Sequence, residues 1–175
     1  MLLKGYKKEI FRPECNPSFT SLHCFAHLDE DIREVIPYLN TVLGGSACTE
    51  DPPSVMFQIH GRLIAVHPRK IAINALRDEL EADKVLDWLR EMINDAWDRR
   101  NEITPSYGVT PKPQIIKVLR LLPKSNCGEC GQPTCTVFSS LVVQGAKGSG
   151  DCPKISIENR ARLDEYLAQF PSVDF

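Results

Sequence analysis

The stretch 55-VMFQIHGRLIAVHPRKIAINAL-76, from Val55 to Leu76, holds three short runs rich in valine, isoleucine and phenylalanine. His60-Gly61 marks a turn between the first two runs, and Pro68 breaks the chain before the third. Runs of this length with tight breaks predict a small antiparallel sheet. Upstream, Phe19 to Leu28 (FTSLHCFAHL) alternates well enough for a further strand, and the acidic Asp29-Glu30-Asp31 can cap a helix through Val35, Leu39 and Val42. Pro37 should kink or restart that helix, and a polar loop runs from Gly44-Gly45 to Pro52-Pro53.

Downstream of the sheet, Ala82, Val85, Leu86, Leu89, Met92, Ile93, Ala96 and Trp97 recur at three- and four-residue steps with charges on the opposite face. This is the pattern of an amphipathic helix. Asp78 with Glu81 three residues later forms its N-cap signal, and the helix should fade before Pro105. The segment 104-TPSYGVTPKPQ-114 then interrupts both helix and sheet with prolines and a glycine and reads as a connector. Beyond it, IIKVLRLL predicts a short helix, TCTVFSSLVVQGA a second one closed by Gly145, and ISIENRARLDEYLAQF a third, with Leu163, Tyr166, Leu167 and Phe170 on one face and an end at Pro171. The fold class expected is α+β: a small antiparallel sheet with packed helices over residues 1–104, a proline-rich connector at 105–114, a compact, mostly helical module at 115–155 and a closing helix at 156–175.

Composition narrows the function. A chain of 175 residues, 42% hydrophobic and 25% charged, can bury one sizeable core or a medium core with an appended module. The formal charge of −2 supplies no field for nucleic acid or an anionic membrane. No apolar run approaches the length needed to span a bilayer, and the start MLLKGYKKEIFRPEC becomes charged too early for a signal peptide. A soluble, cytoplasmic protein is expected. In that reducing compartment seven cysteines are better explained by metal or redox chemistry than by disulfides.

Four of the seven fall in a pattern: Cys127, Cys130, Cys135 and Cys152, spaced Cys-x2-Cys-x4-Cys-x16-Cys and followed by Pro153. Four thiolates are the number that holds a [4Fe-4S] cubane, one per iron, and three clustered cysteines with one remote partner are a recurrent way to supply them. Gly128 and Gly131 can take backbone angles closed to other residues and bring amide N–H groups toward cluster sulfurs. Pro133 can begin a helix whose first turn contains Cys135, directing the positive end of the dipole at an anionic cluster. Zinc is the competing metal, since four thiolates also make a tetrahedral site. Zinc sites usually present two close cysteine pairs, and the sixteen-residue interval with a predicted helix inside it suits a cubane better.

The whole run 121-LLPKSNCGECGQPTCTVFSSLVVQGAKGSGDCP-153 resembles the four-cysteine [4Fe-4S] domain of the corrinoid iron–sulfur protein large subunit of the acetyl-CoA pathway, and of the ferredoxin-like subunit of Rnf-type electron-transport complexes. The resemblance covers about residues 115–153. It implies that Cys127, Cys130, Cys135 and Cys152 are the ligands of one cluster that passes single electrons at low potential. The roughly 110 residues before the motif cannot make the (β/α)8 barrel that holds a cobalamin. With neither a spanning segment nor another four-cysteine set in this sequence, the expectation is a soluble one-cluster protein, unlike the Rnf-type subunit.

Other candidates read less sharply. If residues 19–28 form a strand, His23 and His27 share a face but stand about 13 Å apart at the strand rise, too far to share an ion. Cys15, Cys24 and Cys48 are expected as buried or incidental thiols, and His60 and His67 as turn and loop residues. Trp88 and Trp97 fit core or partner contacts. Lys124, Lys147 and Lys154 lie near the cysteines in sequence, opposed by Glu129 and Asp151, and read as a solvated surface or a docking patch for an acidic partner. No phosphate loop, nucleophile elbow or paired-carboxylate signature appears, so no catalytic residue is identified. The leading expectation is an electron carrier or accessory subunit with a redox protein partner, more an electron-transfer protein than a self-contained enzyme. Two alternatives stay open: a redox enzyme whose N-terminal domain binds a small-molecule ligand, and a non-redox interaction module stapled by metal.

Overall fold

The computed structural model describes residues 1–12 and 21–170. Of these, Met1–Gln58 with Arg62–Thr110 cluster into one compact unit, and Ile59–Gly61 with the residues from Pro111 onward into another. Six strands, β1 (Tyr6–Phe11), β2 (Leu22–Leu28), β3 (Ala47–Thr49), β4 (Ser54–Ile59), β5 (Arg62–His67) and β6 (Lys70–Leu76), lie in the order β1-β2-β6-β5-β4-β3. The registered pairs are antiparallel, with Glu9 opposite Phe25, Ala26 opposite Ile71, Val66 opposite Ile71 and Cys48 opposite Val55. The expected α+β class with an antiparallel sheet is therefore what the chain forms. The three runs between Val55 and Leu76 are β4, β5 and β6, and both His60 and Gly61 take positive φ, the backbone a two-residue hairpin needs.

Alternation decides which face of the sheet is buried. Cys24, Ala26 and Leu28, Val55, Phe57 and Ile59, Ile64 and Val66, and Ile71 and Ile73 are all buried, while the residues between them are half-covered or exposed. The sheet packs on helix α2 (Glu79–Asp98), and helix α1 (Ile36–Leu43) packs against α2. A short 3-10 turn at Arg33–Val35 precedes α1, and Pro37 sits in the first helical turn, where its missing N–H costs nothing; the proline restarts the helix rather than kinking it. Asp31 of the acidic triplet accepts the Arg33 amide N–H at 3.0 Å. In α2 the Asp78 carboxylate caps the Glu81 N–H at 2.8 Å. The Glu81 side chain is buried at the head of the same helix and joins Arg62 and Arg77. At the start of the chain, Asn94 of α2 accepts the Leu2 and Leu3 amides and donates to the Leu3 carbonyl.

Two strands were not expected. The middle of β1 is Lys7-Lys8-Glu9, with no apolar alternation to announce it, and charged residues are what blunts a sheet edge. β3, on the opposite edge, has three residues. The Pro-rich segment is hydrogen-bonded over its first half: Asn40 donates to the Ser106 and Gly108 carbonyls, Thr41 to Thr104, and Gly45 accepts from the Thr110 amide. Phe19 and Thr20 of the expected strand, Cys15 and Pro171 lie outside the described residues.

The second unit is helical, built from α3 (Ile115–Leu121), α4 (Cys135–Val143) and α5 (Ile157–Leu167) with a 3-10 turn at Ser149–Asp151. Its core is Val118, Leu122, Cys135, Phe138, Val142, Cys152, Ile155 and Leu163. Gly145, at φ 72°, closes α4. The Tyr166 hydroxyl of α5 accepts the Gln114 N–H at 2.9 Å, just ahead of α3.

Candidate metal centre

The loop between α3 and α4 carries Cys127 and Cys130, Cys135 opens α4, and Cys152 follows the Ser149–Asp151 turn. Together these four cysteines line one cavity, whose wall also includes Leu122, Asn126, Phe138 and Pro153. Access grades around it. Cys127 is exposed, Cys130 half-buried, and Cys135 and Cys152 are 9% and 6% exposed within the core of the unit.

The loop backbone is unusual in a consistent way. Lys124, Asn126, Gly128 and Gly131 all have positive φ, between 49° and 77°. Interleaving left-handed residues with ordinary ones turns successive amide N–H groups toward a common side, the concavity that binds anions at phosphate and iron–sulfur sites. A Cβ on Gly128 or Gly131 would meet nothing within 4 Å, so these glycines are required by backbone angle and not by space. The Gly131 N–H donates to the Gly128 carbonyl at 2.9 Å, closing a turn around Cys130. Sequence reasoning found the two glycines but missed Lys124 and Asn126. Asparagine tolerates the left-handed region, which was a faint signal; lysine gives none.

Helix α4 begins at Cys135, two residues after Pro133. Thr134 is its N-cap, its hydroxyl accepting the Val137 N–H at 3.2 Å, and Pro133 lies just before the cap. A threonine oxygen can satisfy an orphan amide and a proline cannot, which sets the boundary. Cys135 is thus the first helical residue, and its own N–H donates to Asn126 Oδ1 at 2.8 Å.

Charges at the rim are paired. Lys154 meets Glu129 at 3.2 Å and Lys147 meets Asp151 at 3.5 Å. Asp151 also accepts the Gly148 N–H at 2.7 Å, and this bond first, with Lys147 second, holds its carboxyl below the usual range. The Cys127 thiol is drawn below its ordinary value, chiefly by the backbone N–H of Glu129 and then by the Ser125 hydroxyl, which favours the thiolate form that ligates metals.

The donor set and the amide-rich loop fit an anionic, thiolate-held cluster. Among the described residues, no three His, Cys, Asp or Glu side chains are grouped to hold a metal ion, and the four thiols border a shared space. His23 and His27 lie on β2, with His27 3.3 Å from Glu9; Cys24 is buried in the sheet unit and Cys48 is half-buried.

Residues 122–154 match the family model described as "Putative Fe-S cluster". This stretch is an iron–sulfur domain of that family, as the cysteine pattern implied, and the rest of the chain lies outside the match. Among similar proteins, acetyl-CoA decarbonylase/synthase complex subunit gamma 2 of Methanosarcina mazei is 40% identical over 58 residues, covering 30% of this chain and 12% of that protein. The corrinoid/iron-sulfur protein large subunit of Moorella thermoacetica is 41% identical over 53 residues, with the same coverage of 30% and 12%. A subunit of the ion-translocating oxidoreductase complex of Azoarcus sp. (strain BH72) is 29% identical over 63 residues, 36% of this chain and 34% of that protein. The chain thus spans about an eighth of the length of the first two relatives and a third of the last. No solved structure matches it. Among the described residues, no helix is long and apolar enough to cross a membrane.

Proposed function

We propose that the chain is a soluble, cytoplasmic one-electron transfer protein holding a single [4Fe-4S] cluster through Cys127, Cys130, Cys135 and Cys152, and that it serves a larger redox system as donor or accessory subunit. The observation that carries this reading is the gathering of all four patterned cysteines on one cavity inside the iron–sulfur domain. Support for a partner comes from the relatives, two of which are named as subunits of complexes. When bound, a four-iron cluster supplies reversible one-electron chemistry. The chain's own residues do the rest: Cys135 and Cys152 sit in the core and shield one side from water, Cys127 meets solvent, and the loop amides favour negative charge. The module responsible is residues 115–155, followed by the segment 156–175 that carries α5, while 1–104 form the α+β domain.

A second reading, a non-redox module stapled by its metal, draws on the same core, since two of the cysteines are structural members of it. Anaerobic purification followed by iron, zinc and sulfide analysis, optical spectra and EPR separates the two. A brown protein that gains an EPR signal on reduction by one electron supports the carrier. A colourless protein carrying one zinc ion would overturn it and leave the staple.

A further inference from the structure

We infer that Asn126 is a positioning residue that fixes Cys127 against Cys135, and so holds the two ends of the three-cysteine segment in ligating register; the inference rests on the four-cysteine reading above. Asn126 is adjacent to Cys127 in sequence and stands at φ 49°, a conformation that asparagine accepts and most residues resist. Its side-chain oxygen accepts the Cys135 N–H across nine residues. Cys135 is the first residue of α4, so this N–H has no partner within the helix. The N-cap Thr134 serves Val137 instead. Asn126 therefore does what the local cap does not: it ties the loop bearing Cys127 and Cys130 to the helix bearing Cys135. A loop pinned at both ends forfeits less freedom when its thiolates take a metal, and preorganisation of this kind is expressed as tighter retention. Because the Cys135 N–H is committed to Asn126, the residue acts through geometry and not as a donor to the cluster.

Three variants of the full chain divide the two properties of the side chain. Asn126→Gly keeps the left-handed backbone and loses the acceptor, Asn126→Ala loses both, and Asn126→Asp keeps both while adding a negative charge. Each is reconstituted anaerobically with ferrous iron and sulfide, and cluster release to an iron chelator is followed by absorbance. The Gly variant should release iron faster than wild type by about two- to tenfold, the worth of one hydrogen bond, and the Ala variant faster still. The Asp variant should hold its cluster as wild type does but show a lower reduction potential, since its new charge opposes reduction. Hydrogen exchange at the Cys135 amide should speed up in the Gly variant and not in the Asp variant, which serves as the readout if the Ala variant does not fold. Equal release from the Gly variant and wild type, or fast release from the Asp variant, would overturn the positioning role while leaving the four-cysteine assignment intact. Failure of the wild type itself to take up iron would overturn the assignment.

Discussion

The sheet unit and the cysteine unit are stabilised by different means. In the first, a six-stranded sheet closes on helix α2 through large apolar side chains such as Phe57, Ile64, Ile71, Leu86, Leu89 and Ile93. In the second, three helices of seven, nine and eleven residues share a core with eight buried residues among those described, and two of these are Cys135 and Cys152. Helices this short are marginal on their own. The difference teaches that groups proposed to ligate a metal can also be groups that pack a hydrophobic core. Stability of the sheet unit should then be indifferent to metal, and stability of the cysteine unit should not.

The largest expected effect follows directly. Stripping the cluster with a chelator should raise hydrogen exchange throughout α3, α4 and the segment up to Cys152, while amides of β2, β5, β6 and α2 keep their protection. Equal loosening of both units would break the comparison. Next in size, Phe57→Ala should destabilise the sheet unit by about 3–5 kcal/mol in denaturant unfolding, the usual cost of emptying an aromatic core site, yet leave iron content unchanged. A smaller effect is expected at Gly128→Ala. No neighbour obstructs the new methyl group, so the cost is the backbone angle alone, about 1–2 kcal/mol, read as lower resistance of the cysteine unit to unfolding. Smallest of all, Lys154→Met removes an exposed ion pair worth less than about 1 kcal/mol to stability. Its informative readout is electrochemical: with Glu129 uncompensated beside the site, the reduction potential should move down.

Legibility in the sequence also divides between the units. Strands β4 to β6 and helix α2 could be read because their signals are local: alternation, the His60-Gly61 turn, and a cap three residues from its partner. β1 could not, because an edge strand carries charge where a central one carries apolar residues. The segment from Thr104 onward was readable as proline-rich, but its hydrogen bonds to Asn40 and Thr41 join residues more than sixty positions apart, which no local pattern encodes. At the site, the four cysteines were legible from spacing and the glycines from backbone permissiveness. The link from Asn126 to Cys135 and the pairing of Lys154 with Glu129 were not, since each depends on how the loop folds back on the helix and not on residue type. That pairing also bears on the lysines read from sequence as surface or docking patch, because two of the three are neutralised by neighbouring carboxylates.

The most direct test of the central claim is iron analysis of seven single Cys→Ser variants purified without oxygen. The assignment predicts that Cys127→Ser, Cys130→Ser, Cys135→Ser and Cys152→Ser lose most of their iron, because a harder oxygen replaces a thiolate at one iron site. Cys15→Ser, Cys24→Ser and Cys48→Ser should retain it. Full iron in Cys152→Ser, or iron lost from Cys15→Ser or Cys24→Ser, would contradict the account and point to a different ligand set.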